Sequence, residues 1–282
     1  MTSFIFIGGD RRMLYAAERL GNYHLCGFQK LEPCEDEKDS LPHDCAVLPP
    51  QKSPDGVNIP CPYSDILIPY SILGKLLVKG GTVFTGSVCE ALEKVCGENG
   101  FRLVNYLEQE ELALKNAVLT AEGAVAIAVN ESPFSVCETP MLITGYGRIA
   151  KVLAEYLIAM GGKVMVACRK PSARIMAEEY GCRTVDIADK EAFRRAVSEA
   201  AVIFNTVPSG VFGDAETAEM QKGALYIELA SVDGICGVIP TEIKYIAARG
   251  LPGKVSPVAA GEIIAETVAA VLGEERGEAY EK

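Results

Sequence analysis

Gly145, Gly147 and Ala150 stand in the spacing G-x-G-x-x-A, directly after the apolar run 141–144 and before the amphipathic segment KVLAEYLIAM. Residues of these types at this spacing can hold a diphosphate. The first glycine permits a tight turn, the second lets phosphate oxygens approach backbone amides, and the third, small residue lets helix and strand pack closely. A helix amino end adds N–H groups and a favourable dipole, so Arg148 and Ile149 of the first turn join Gly145 and Gly147 as expected cofactor contacts. The spacing alone would also describe a plain structural turn. Gly161-Gly162 and the apolar run KVMVAC (163–168) complete a strand–helix–strand unit and favour a dinucleotide site.

The end of that second run bears on which dinucleotide. An NAD site usually places Asp or Glu there for the ribose hydroxyls, whereas this chain reads Ala167-Cys-Arg-Lys-Pro-Ser-Ala-Arg174. Arg169, Lys170, Ser172 and Arg174 suit a 2′-phosphate, which points to NADP rather than NAD. A solvated basic helix start is the plainer alternative.

Further candidates fall at strand ends and breaks. Asn205, Thr206 and Pro208 follow the apolar AVIF and are expected to touch ribose or nicotinamide, with an ordinary strand-ending turn as the competing reading. Glu228 ends the next strand, as a general base or an orienting group if partly buried, or else as a plain strand-end carboxylate. Arg12, after Gly9-Asp10, can pair a substrate carboxylate, or simply pair with Asp10 or Glu18. Glu122, beside Thr120 at an expected helix break, and Lys254, in the Gly/Pro-rich LPGKVSP, complete the residues considered for catalysis.

The elements that must position these groups alternate along the chain. SFIFIGG reads as a strand, MLYAAERLG as a helix ending at Gly21, YHLCGF as a strand, 32–39 as a solvated acidic loop and CAVLPP as a strand. Residues 51–65 read as a long loop at a strand's carboxyl end. A helix over 69–78, strand GTVFTG, a helix over 88–99 and strand FRLVNY follow. Residues 108–129 read as a helix in two pieces, broken over 120–123. After the glycine turn come helix SARIMAEEYG, strand RTVD, helix DKEAFRRAVSEA, strand AVIFNTVP, helix AETAEMQK, strand ALYIELA and a strand near KYIAARGLPG. LPGKVSP reads as a loop before a final helix from about 259 to 272. The pattern predicts an α/β protein with two doubly wound Rossmann-like domains, their parallel sheets facing a cleft and linked by a helix. Residues 1–115 form a flavodoxin/Rossmann-like substrate-side domain, joined by the C-terminal helix 259–282. Residues 116–258 form an NADP-binding Rossmann domain with a leading linker helix.

Composition agrees with this class. The 282 residues are 49% hydrophobic, enough to fill real cores. A formal charge of −11 without long Lys/Arg clusters argues against a nucleic-acid surface, while leaving room for a local basic pocket. Ten cysteines without a C-x-x-C spacing, and no signal peptide before TSFIFIG, predict reduced thiols in the cytoplasm. His24 and His43 are the only histidines, so no metal site is expected and a histidine base has two candidates. The longest apolar stretch, 117–129, is interrupted by Glu122, so no membrane span is expected.

Several ordered motifs together carry a family resemblance. They are GGD-x-R at 8–12, LP-P-DG at 48–56, Thr85-Gly86, NAVLTAEGA at 116–124, GYGRI-KVLA with ACRKPSAR, FNTVP at 204–208, ELAS at 228–231 and GLPGKVSP-AAG at 250–261. With these the chain resembles the A subunit of dipicolinate synthase. The resemblance implies NADP-dependent oxidation of a dihydrodipicolinate-type intermediate to pyridine-2,6-dicarboxylate, in the mother-cell cytoplasm during sporulation. It also implies a small dicarboxylate substrate and a separate flavoprotein-like B subunit, and a homo-oligomer is expected. The family commonly has Asp-Leu-Ala-Ser then Pro-Gly-Gly, where this chain has Glu228-Leu-Ala-Ser231 then Val232-Asp233-Gly234. It commonly has Lys after the proline where Val258 stands, so this chain either uses Lys254 or serves another substrate. The alternatives are an NAD(P)H-dependent oxidoreductase acting on another small carboxylic acid, or a noncatalytic protein that senses NADP and binds a partner.

Overall fold

The computed structural model describes residues 2–31 and 42–280, with side chains described to residue 273; the expected acidic loop 32–39 lies outside the described residues. The chain divides into two compact units, residues 1–116 with 256–282, and residues 117–255.

The first unit opens with β1 (Phe4–Ile7), α1 (Arg11–Leu20), β2 (Tyr23–Cys26) and β3 (His43–Val47). A short antiparallel pair, β4 (Asn58–Ile59) and β5 (Ile68–Pro69), lies in the excursion after β3. Then come α2 (Leu73–Leu76), β6 (Leu77–Thr85), α3 (Glu90–Asn99), β7 (Arg102–Asn105) and α4 (Glu110–Glu131), within which the division between units falls. The five-stranded sheet runs β2-β1-β3-β6-β7, all parallel. Alternation along β1 sends Phe4 and Phe6 into one core cluster and Ile5 and Ile7 into the cluster on the opposite face. A strand buried on both sides reads as a continuous apolar run, which is how FIFI appears in the sequence.

The second unit holds β8 (Pro140–Thr144), α5 (Arg148–Ala159), β9 (Lys163–Cys168), α6 (Pro171–Glu179), β10 (Arg183–Asp186), α7 (Lys190–Glu199), β11 (Val202–Asn205), α8 (Asp214–Thr217), β12 (Leu225–Glu228), β13 (Lys244–Ala247) and α9 (Leu251–Val255). Its parallel sheet runs β10-β9-β8-β11-β12-β13, the doubly wound order whose direction reverses between β8 and β11. Ligands of such sheets bind at the carboxyl ends of the strands flanking the reversal. The final helix, α10 (Pro257–Tyr280), belongs to the first unit and packs on α1.

Three local expectations are corrected. The break over 120–123 is absent, since α4 is one 22-residue helix. A Cβ on Gly123 would lie 3.1 Å from Leu251 and 3.2 Å from Val255, so this glycine admits α9 against α4 and does not break it. Ala117, Ala121, Ala124 and Ala128 form a buried helical stripe, and although α4 is long and apolar enough to cross a membrane, this face is packed within protein. Residues 251–257 are not a loop: Leu251–Val255 is helical, with Leu251 and Pro252 buried. The helix expected over 69–78 shrinks to the 3-10 turn Tyr70–Ile72 and Leu73–Leu76, because Pro69 pairs with Asn58 and β6 already begins at Leu77.

Gly261 tests the contact between α10 and α1. A Cβ there would overlap the Arg12 carbonyl oxygen and stand 2.9 Å from the Ala16 nitrogen, both backbone atoms. In an open helix Gly→Ala gains up to ~1 kcal/mol. Gly261→Ala is expected instead to destabilise the protein by about 1–3 kcal/mol in urea unfolding, and a gain would refute this close approach.

Candidate functional site

The turn after β8 begins with Gly145 at φ +85°, a conformation L side chains rarely adopt. Its amide donates to the Ala167 carbonyl at 2.8 Å, and a Cβ would lie 2.8 Å from Thr206 Oγ1. Gly147 caps α5 in extended conformation, and open space stands where its Cβ would be. The first bond of the helix ladder is donated by Lys151 to Gly147 at 3.1 Å, so the amides of Ile149 and Ala150 precede it at the helix mouth. Ala150 is fully buried, as the third small position requires. The Ile149 side chain packs on the core, so only its backbone is placed to reach a ligand, and the Arg148 side chain is exposed beside it.

These glycines form one wall of a cleft of about 640 Å³. Arg169 and Lys170 form a second wall at the end of β9, Ile187, Ala188 and Lys190 a third after β10, and Thr206 to Val211 a fourth after β11. Tyr146 lies within the glycine wall, and Lys151 Nζ sits 5.9 Å from its ring centre. Burial raises the Tyr146 phenol, with Cys182 and Tyr180 adding to the rise. Among the described residues, three cations and no carboxylate line the cleft.

The basic set differs from the expected one. Arg174 does not face the cleft: its Nη1 donates to the carbonyls of Cys168 (3.0 Å) and Arg169 (2.9 Å), while Nη2 pairs with Asp186 at 3.0 Å. It therefore closes the turn between β9 and α6 and neutralises the carboxylate at the end of β10. Ser172 is exposed on the first turn of α6, outside the lining residues. Lys190, absent from the basic set expected on sequence, takes a place in the wall. Its signal was a lysine directly after the helix-capping Asp189, at the carboxyl end of a strand.

Asn205 also requires correction. It is wholly buried beneath the cleft, and all four of its hydrogen-bonding positions are used. Nδ2 donates to Glu228 Oε1 (2.7 Å) and the Val207 carbonyl (3.1 Å); Oδ1 accepts from Thr144 Oγ1 (2.6 Å) and the Val207 amide (3.1 Å). Thr206 and Pro208 do line the cleft, with Thr206 Oγ1 donating to the Thr144 carbonyl at 2.7 Å.

Glu228 is likewise fully buried, which removes it as an accessible base. Oε1 accepts from Asn205 and from the Ala230 amide (3.1 Å); Oε2 accepts from the Gly234 amide (2.7 Å) and the Tyr226 hydroxyl (3.2 Å). Burial, followed by the charge and hydrogen bond of Glu228, pushes the Tyr226 phenol far up. A Cβ at Gly234 would overlap Asn205 Nδ2 and fall 2.6 Å from the Tyr226 oxygen, so glycine is required for this amide to reach the carboxylate. Beside it, Asp233 accepts from Tyr245 (2.9 Å) and Arg249 (2.6 Å).

The remaining candidates are scattered. Arg12 is 6% exposed and grips Asp10 through two 2.8 Å bonds, while Gln51 holds the same carboxylate at 2.5 Å. The reading of Arg12 as an open carboxylate receptor gives way to the internal pair. Glu122 and Lys254 are exposed, on α4 and α9, and neither lines the cleft. His24 and His43 stack at 4.8 Å between ring centres near the amino ends of β2 and β3, opposite the edge where such sheets bind ligands. Burial and the nearby His24 lower the His43 pKa.

The family described as NADP oxidoreductase coenzyme F420-dependent matches residues 141–231, from β8 past β12. The A subunit of dipicolinate synthase from Bacillus subtilis (strain 168) is 24% identical, with 96% of each chain covered. This chain is similar to that subunit over nearly its whole length. The crystal structure of the Bacillus halodurans A subunit superposes with a TM-score of 0.82 at 25% identity, covering 96% of this chain and 97% of the other. The Bacillus subtilis structure gives 0.84 at 23% identity, covering 98% and 97%. The resemblance read from the ordered motifs is thereby borne out, as is the pair of parallel-sheet α/β domains. The second unit has an NAD(P)-binding, oxidoreductase-like Rossmann fold.

Glu228→Gln would turn an amide NH₂ toward two donors that now meet a carboxylate oxygen. A loss of about 1–3 kcal/mol is expected in urea unfolding, and unchanged stability would contradict the four-donor arrangement.

Proposed function

We propose that this chain binds NADP in the second unit and oxidises a dihydrodipicolinate-type intermediate to pyridine-2,6-dicarboxylate, as the A subunit of a two-component dipicolinate synthase. The observation that carries the cofactor choice is the cleft wall: three cations and no carboxylate, in a chain whose formal charge is −11. A ribose-reading carboxylate is absent from the wall among the described residues, and a 2′-phosphate would meet guanidinium and ammonium groups. The full-length similarity to the A subunit of dipicolinate synthase supports the substrate. The rest of the proposal is a flavoprotein-like B subunit as partner, a homo-oligomeric assembly and a cytoplasmic setting in spore formation.

The donor set fits such a cofactor. The open space at Gly147 admits phosphate oxygens to the start of α5, and the left-handed turn at Gly145 leaves room for Thr206 close against it. A bound oxidised nicotinamide supplies a hydride acceptor. The protein's share is placement: Asn205 and Glu228, though buried, hold the Thr206–Val211 wall, and that wall orients the cofactor and keeps water from one of its sides. Glu122 is proposed as a proton acceptor, and Lys254 as a partner for a substrate carboxylate, since both functional groups are accessible. Loss of a hydride and a proton from the dihydro ring yields the aromatic product, so aromatisation drives the step.

The deciding experiment supplies freshly generated 4-hydroxy-tetrahydrodipicolinate, which loses water to give the dihydro ring, together with NADP as hydride acceptor, and follows pyridine-ring absorbance, with and without the candidate B subunit. Product formation is expected. NADPH binding without turnover in either mixture would move the reading to a nucleotide-sensing role. Gly145→Asp should abolish NADP(H) binding, because a side chain there collides with Thr206 and brings negative charge to the phosphates. Arg169→Glu should weaken NADP by about tenfold or more and NAD much less; equal losses measured by calorimetry would defeat the phosphate assignment.

A further inference from the structure

We infer that Lys190 is a second determinant of cofactor choice, meeting the 2′-phosphate from the turn after β10, next to the strand end that carries Arg169; this deepens the NADP reading and rests on it. The sequence around β9 offers Arg169 and Arg174 as an apparent arginine pair for that phosphate. The structure divides the pair, because the Arg174 guanidinium is committed to two backbone carbonyls and to Asp186. Arg169 and its neighbour Lys170 are then the cations left at the end of β9.

The next strand supplies another. Asp186 ends β10 and would set a negative charge near the cleft, but Arg174 neutralises it at 3.0 Å. Its Oδ1 also accepts from the Ala188 amide at 2.9 Å, and Asp189 caps α7 through the Ala192 amide at 3.0 Å. The short turn is thus held at both ends and delivers Lys190 to the wall. The ammonium is steadied by Glu216, whose Oε1 lies 3.9 Å away and whose Oε2 accepts from the Gly213 amide at 3.0 Å. Glu216 is 7% exposed and tied to its own helix start, whereas the Lys190 side chain is 60% exposed, so it can turn to a phosphate without unfolding anything. A dianionic phosphate between guanidinium and ammonium gains from both at once, and a 2′-hydroxyl gains little from either.

The test is calorimetric binding of 2′,5′-ADP and 5′-AMP, which differ only in the 2′-phosphate, to the intact protein and its variants. The unaltered protein should prefer 2′,5′-ADP. Lys190→Ala should lose about tenfold for 2′,5′-ADP and less than about twofold for 5′-AMP, and Lys190→Arg should keep most of the preference. Thermal midpoints close to that of the unaltered protein confirm that the variants are folded. If Lys190→Ala leaves the preference intact, or weakens both ligands equally, the assignment of Lys190 is overturned while NADP selectivity stands. If the unaltered protein shows no preference, the NADP reading itself falls, and this inference with it.

Discussion

A carboxylate sealed from water is costly unless donors replace its hydration, and Glu228 has four of them. The wall of the nucleotide cleft depends on that compensation. Through Asn205 the carboxylate fixes both the amide and the carbonyl of Val207, and through Gly234 it fixes a segment whose carbonyl accepts from Val211 and Phe212. Thr144, at the end of β8, joins the same network, so the three strand ends at the sheet's reversal share one set of polar bonds. The groups facing the cleft are therefore held by groups that never touch its contents.

The second constraint is electrostatic. An acidic protein that takes up a polyanion must build its attraction locally, since its overall field is unfavourable. Here this is done by subtraction as much as by addition. Arg174 cancels Asp186, Glu216 gives one oxygen to a helix start and keeps the other near Lys190, and Arg169, Lys170 and Lys190 line the cleft with no carboxylate among the described lining residues. The first unit disposes of its charge differently: the nearly buried Arg12 is paired with a half-buried Asp10, which Gln51 also holds, beside the first strand.

Small residues decide how closely the layers approach. Gly123, Gly234 and Gly261 each stand where a Cβ would crowd a neighbouring element, tightly at Gly123 and with overlap at Gly234 and Gly261. Gly123 shows the consequence for interpretation. In the sequence, glycine next to a polar residue within an apolar run suggests a helix break; in the fold it is the point where another helix arrives.

The alternation of apolar runs with amphipathic stretches determined the α/β class, because period 2 and period 3.6 leave different imprints on a chain. The spacing of Gly145, Gly147 and Ala150 likewise determined where a dinucleotide turn would form: the positive φ of Gly145 disfavours any side chain, Gly147 leaves open space beside the helix start, and Ala150 is buried where helix meets strand. Which polar side chains reach the cleft was decided only by tertiary structure. Arg169 and Arg174 look equivalent in sequence, as do Asn205 and Thr206. One of each pair faces the cleft and the other is consumed beneath or behind it, because residues adjacent on a strand point to opposite sides and a helix turns its residues away in succession. Lys190 carried a local signal, a lysine after a helix-capping Asp, but not its place in the cleft: its neighbours there come from strands adjacent in space, and that adjacency exists only once β10, β9, β8 and β11 have assembled side by side.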